Sequence, residues 1–63
     1  MIHAVGYDPQ KRILEIAFNS GRTYQYLDVP PEVYKGLMKA SSKGQYFLAN
    51  IRDMYETRRM GRG

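Results

Sequence analysis

The stretch Gly21-Arg22-Thr23-Tyr24-Gln25-Tyr26-Leu27-Asp28-Val29-Pro30-Pro31 decides the fold. Its first half reads as a β-strand, and the period of two along a strand puts Tyr24 and Tyr26 on one face. Val29-Pro30-Pro31 ends that strand and starts a helix. Proline at a first helical position sacrifices no hydrogen bond, and Glu32 in the first turn suits the helix dipole. Asp28 is expected to help cap that helix. Strand pairing therefore lies before this stretch and helices lie after it.

Upstream, Asn19-Ser20-Gly21 is a three-residue hairpin loop ending in glycine. That is the pattern of a type I turn closed by a bulge, in which the last residue needs a positive φ that glycine adopts at little cost. The loop length sets the register: Phe18 against Arg22, Ile16 against Tyr24, Leu14 against Tyr26. Directly opposed residues share a face, so both tyrosines join Leu14 and Ile16 on the apolar side. Glu15, Ala17, Thr23 and Gln25 fall on the other side, which is expected to face water. Before them, Ile2 to Tyr7 is a further β-compatible run, joined to Ile13–Phe18 by a turn at Asp8-Pro9-Gln10-Lys11.

Downstream, a helix is expected from about Pro31 to Ala40, with Val33, Leu37 and Ala40 along one stripe and Tyr34 and Met38 beside it. Gly36 inside that helix costs about 1 kcal/mol relative to alanine, which points to a close approach there. Ser41-Ser42-Lys43-Gly44 breaks the helix, and Ser42 is placed to cap the next one. The second helix is expected to begin near Lys43 or Gly44 and carries Phe47 and Ile51 four residues apart. Met54 and Tyr55 either extend that stripe or begin an extended segment. Residues 56–63 show no apolar period and are expected to form a flexible basic tail. The result is a single α+β domain over residues 1–55. It is a three-stranded antiparallel meander followed by two short helices packed on one face, in the order β-β-β-α-α.

With 63 residues and no cysteine, such a domain has a small core and no disulfide or thiolate metal site to reinforce it. Its stability is expected at ~3–5 kcal/mol. The lack of cysteine fits a reducing cytoplasm, the expected location. No apolar run reaches the ~18 residues of a membrane span, and no signal peptide is evident. One histidine, His3, excludes a histidine-based metal cluster, and no cofactor is expected. Neither His3 nor Asp8, Glu15, Asp28 and Glu32 pair at a catalytic spacing. Ser20, Ser41 and Ser42 lie in turns without a histidine placed to activate them, so no enzymatic activity is expected.

The net charge is +4, and Arg52, Arg58, Arg59 and Arg62 concentrate the excess toward the C-terminus. Such a balance suits phosphate-rich partners. Arg22, Lys43, Arg52, Arg58 and Arg59 are the candidate phosphate contacts, with Lys43 at a helix N-terminus whose free N–H groups favour anions. The bland alternative is a solvated basic surface that maintains solubility, and Lys35 and Lys39 are expected to serve in that way. Tyr24 and Tyr26 are candidates for base stacking, but the hairpin register turns them toward the helices and favours the core.

The ordered set Val5-Gly6-Tyr7-Asp8, Leu14-x-Ile16-x-Phe18, Gly21-x-x-Tyr24-x-Tyr26-x-x-Val29-Pro30 resembles the KTSC domain. The likeness continues through Val33-Tyr34-x-x-Leu37-x-x-Ala40-Ser41-x-x-Gly44-x-Tyr46-Phe47 and Ile51-Arg52. That family takes its name from the C-terminal extension of some lysyl-tRNA synthetases and includes small stand-alone bacterial and phage proteins. The resemblance implies a compact α+β unit, with Tyr24 and Tyr26 as the family's Tyr-x-Tyr motif. It also suggests RNA binding, through the synthetase association. The chain departs from the pattern at Leu48-Ala49, where more polar residues are expected. Two partner classes follow: RNA or another nucleic acid, and a protein docking on apolar surface left by Tyr34, Met38, Met54 and Tyr55. The oligomeric state stays open.

Overall fold

A computed structural model describes residues 2–60. The chain order is β1 (Ile2–Asp8), β2 (Ile13–Phe18), β3 (Thr23–Tyr26), α1 (Pro31–Lys39), α2 (Lys43–Asn50) and β4 (Thr57–Arg59). The strands form one antiparallel sheet in the order β1-β2-β3-β4. Leu14, Ile16 and Tyr26 on one sheet face meet Val29, Leu37, Phe47 and Ile51 in a single buried cluster. Full burial of an aliphatic side chain stabilises by about 1.5–3 kcal/mol, so these few residues carry the fold.

The hairpin register follows from its loop. Leu14 opposes Tyr26 and Ile16 opposes Tyr24, while the Phe18 amide donates to the Arg22 carbonyl at 2.8 Å. Gly21 sits at φ +94°, a conformation that a Cβ would strain. The Asp8 carboxylate accepts from the amides of Gln10 and Lys11 at 3.0 and 3.2 Å, which ties down the turn into β2. On the solvent face, Gln25 Nε2 donates to Glu15 Oε1 at 3.2 Å.

The chain turns from β3 into α1 without the Asp28 cap expected from the sequence. Pro30 occupies the N-cap with no side-chain hydrogen bond, and Asp28 takes φ +59° two residues earlier. Its short side chain tolerates the left-handed conformation that turns the chain, so it serves the turn rather than the helix end. Val29 fixes this corner. Its amide donates to the Arg12 carbonyl at 2.8 Å, its carbonyl accepts from Tyr7 Oη at 2.6 Å, and its side chain is fully buried.

Gly36 explains itself through the second helix. A Cβ built there would stand 2.7 Å from Tyr46 Cζ, so the bare backbone lets the Tyr46 ring lie against α1. Ser42 caps α2 as expected, its hydroxyl accepting from the Gln45 amide at 3.3 Å. After α2 the chain turns rather than continuing as helix. Tyr55 packs on the core, and Met54 is left exposed.

Within residues 56–63, expected to be a flexible tail, Thr57–Arg59 instead form β4. Tyr24 opposes Arg59, Gln25 opposes Arg58 and Tyr26 opposes Thr57. Leu27 and Met60 extend the ladder, their amides donating to the Glu56 and Thr23 carbonyls at 2.9 Å each. The cause lies in the partner. An unflanked β3 presents a row of unpaired backbone groups, and a segment without apolar period satisfies them by its backbone alone. Residues 61–63 lie outside the described residues.

Candidate functional site

The sheet's helix-facing side is not covered evenly. Near β1 and α1 it is closed: Tyr7 and Tyr34 stack with ring centroids 4.8 Å apart and planes 9° from parallel. Near β3 and α2 it opens into a cavity of about 630 Å³. Pleat and register put Tyr24, Tyr26 and Phe18 on this side, and α2 contributes Phe47 and Leu48.

The aromatic rings form a connected series. Phe18 meets Tyr24 edge-on at 5.9 Å and Phe47 at 5.5 Å, and Phe47 meets Tyr26 at 5.5 Å. Such T-shaped pairs are worth about 0.5–1.5 kcal/mol beyond their buried area, and they make the groove floor continuous with the core. Leu48, 48% exposed, stands at its side. The hairpin loop supplies Asn19 and Ser20, and β4 supplies Thr57.

Charge gathers at the rim. Arg22 comes from the residue before β3, and Arg52 and Asp53 come from the turn after α2. The Arg52 and Asp53 side chains lie 3.9 Å apart and remain mostly exposed, so their pairing is weak. Tyr26 feels this turn directly. Burial pushes its phenol pKa above the ordinary value of 10.0, the Tyr24 phenol and Asp53 push the same way, and Arg52 opposes them. The two hydroxyls therefore sit in one electrostatic neighbourhood with the turn that follows α2.

The five basic candidates are divided among three places. Arg22 and Arg52 border the groove. Arg59, opposite Tyr24, shares the groove's side of the sheet, whereas Arg58, opposite Gln25, is on the other face. Lys43 opens α2 and borders a separate hollow with Ile2 and Gly44. Leu48 touches both recesses. The two motif tyrosines also differ: Tyr26 is 5% exposed and belongs to the core, while Tyr24 is half-buried and lines the groove. Lys35 and Lys39 face water as expected. Of the apolar protein-docking candidates, Tyr34 and Tyr55 pack on the core, and Met38 and Met54 stay exposed.

Sequence reasoning does not single out Phe18, Phe47, Asp53 or Thr57 as groove residues. Phe18 and Phe47 read as core, which they also are. Leu48 is signalled only as a departure from a more polar pattern. Among the described residues no group of three or more His, Cys, Asp or Glu side chains could hold a metal ion. No helix among them is long and apolar enough to cross a membrane.

The KTSC domain family model matches residues 1–55. A solved KTSC domain protein from Yersinia pestis superposes with a TM-score of 0.93 at 43% identity, covering 95% of this chain and 84% of that one. An uncharacterised protein of Stutzerimonas stutzeri is 48% identical over 46 residues, which is 73% of this chain and 65% of that protein's length. A lysine–tRNA ligase of Nostoc punctiforme is 38% identical over 56 residues, 89% of this chain but 10% of the ligase. The chain belongs to the KTSC domain family.

Proposed function

We propose that this domain is a non-catalytic module that binds RNA, or another nucleic acid, through the groove between β3 and the end of α2. One observation carries the reading: Arg22 and Arg52 border the same recess as Phe18, Tyr24 and Phe47. Cationic side chains beside aromatic rings suit a chain of phosphates and bases, and Arg59 adds a further cation on that side of the sheet. The similar segment in a lysine–tRNA ligase supports the same partner class, because that protein's name ties it to tRNA. The groove's ionisable groups are two phenols, two guanidiniums and one exposed carboxylate, a set suited to binding rather than to activating a nucleophile.

The test is a salt titration of binding to mixed tRNA, read by fluorescence anisotropy. Dissociation constants well below the ~10⁻⁴ M of weak non-specific binding are expected at physiological salt. The double substitution R22A/R52A is expected to weaken binding and to flatten the salt slope by about 0.7 for each single-strand phosphate that is no longer neutralised. Affinity that is no tighter than the non-specific level, or is indifferent to both arginines, would overturn the proposal.

A further inference from the structure

We infer that the groove receives an unpaired base, so that the module selects single-stranded nucleic acid over duplex; this rests on the nucleic-acid reading above. The first observation is what the two motif hydroxyls lack. Tyr7 Oη is bonded to the Val29 carbonyl, but among the described residues neither Tyr24 nor Tyr26 donates or accepts a hydrogen bond through its hydroxyl. Tyr26 is buried as a residue, yet its oxygen is not a sealed unpaired atom, since no buried side-chain polar atom among the described residues goes unsatisfied. Both residues line the recess, and the unbonded hydroxyls are free to pair with a guest there. The phenols keep hydrogen-bonding capacity at the wall of an apolar cavity, an arrangement that suits a flat, polar-edged guest.

The second observation is the distribution of charge. Asp53 borders the groove beside Arg52, while Arg22 enters from the β2–β3 side. A carboxylate repels phosphate and accepts from N–H groups, so the polar edge of a base belongs toward Asp53 and the tyrosine hydroxyls. The backbone phosphate belongs toward Arg22. A duplex cannot use such a site: its bases are stacked on both faces, and only unstacked bases reach aromatic side chains in a recess. Leu48, exposed beside the rings, supplies an apolar contact for the guest's face.

The experiment compares a short mixed-sequence RNA strand with the same strand annealed to its complement, by anisotropy at fixed salt. Single-strand binding at least about tenfold tighter than duplex binding is expected. Y24A is expected to weaken the single strand by roughly tenfold, within the range for removal of one aromatic–base stack, and so to narrow the preference for strand over duplex. L48A, at an exposed position that does not endanger folding, is expected to act in the same direction more weakly. A thermal melt of each variant establishes that it is folded. Equal affinity for strand and duplex, or indifference to both substitutions, would overturn the inference while a dependence on Arg22 and Arg52 keeps nucleic-acid binding intact. Absence of binding to either probe would overturn both.

Discussion

Tyr7 and Tyr24 lie on the same face of the same sheet, and the protein treats them in opposite ways. Tyr7 is stacked on Tyr34 and its hydroxyl is bonded to a backbone carbonyl. Tyr24 also packs against the core, but its one ring–ring pair is an edge contact with Phe18, and it lines an open groove. The difference comes from the helices. Beside Tyr7, α1 brings a parallel ring and the chain entering it brings an acceptor; beside Tyr24, α2 commits Phe47 to the floor and leaves Leu48 outside. A tyrosine whose ring is stacked and whose hydroxyl is bonded is structural. One left incomplete by the same fold is where a ligand finds something to bind.

The largest test of this contrast is alanine at each position. Tyr7→Ala is expected to cost about 3 kcal/mol, close to the whole stability of so small a domain. Tyr24→Ala should cost about 1 kcal/mol, because both rings are half-buried but Tyr24 has neither a stacked partner nor a hydroxyl hydrogen bond to lose. Urea unfolding followed by circular dichroism measures both, and a greater loss at Tyr24 would reverse the comparison. Next is Gly36→Ala. Helix propensity alone favours alanine by about 1 kcal/mol, but overpacking against Tyr46 costs about 1–3 kcal/mol, so a net destabilisation of about 1 kcal/mol is expected. In a Tyr46→Ala background the same change should become stabilising, and failure of the sign to invert would mean that the close approach is not what glycine serves.

Removing single hydroxyls refines the comparison. Tyr7→Phe strands the Val29 carbonyl and is expected to cost about 1 kcal/mol, whereas Tyr24→Phe should leave stability within about 0.5 kcal/mol. The smallest effect is alkaline. The Tyr26 phenol is raised in the folded state, chiefly by burial, so near and above pH 10 the folded protein holds a proton that the unfolded chain gives up. Its contribution is therefore complete below the ordinary phenol pKa and is lost as pH rises through the folded value. Thermal melts at increasing alkaline pH should show this decline, and it should be weaker in Tyr26→Phe.

Much of the fold is legible because local chemistry and tertiary contacts agree. The loop Asn19-Ser20-Gly21 sets a register that the sheet keeps, Ser42 signals a cap that forms, and Gly36 signals an approach that Tyr46 makes. Asp28 misleads because a residue fit for capping is equally fit for a left-handed turn. β4 is illegible for a different reason: Thr57 is the single strand-favouring residue of Thr57-Arg58-Arg59, too little to signal a strand, and its order is borrowed from the edge of β3. The candidate site is only half visible. Its arginines stand out in the sequence, but composition cannot show that Arg22 and Arg52 meet at one recess while Lys43 and Arg58 lie elsewhere. That division depends on pleat and helix placement.

The β4 strand also bears on how the protein behaves in a crowded solution. Without it, Thr23-Tyr24-Gln25-Tyr26 would be an uncharged, aromatic edge with open backbone groups, the kind of segment that recruits copies of itself. Thr57–Arg59 occupy those groups and put two like charges on the sheet's outer margin, where a second molecule approaching edge-on meets repulsion. The same arginines that extend the basic surface therefore act as gatekeepers against aggregation. A chain cut back to Tyr55 is expected to lose solubility before it loses secondary structure, as light scattering on heating would show.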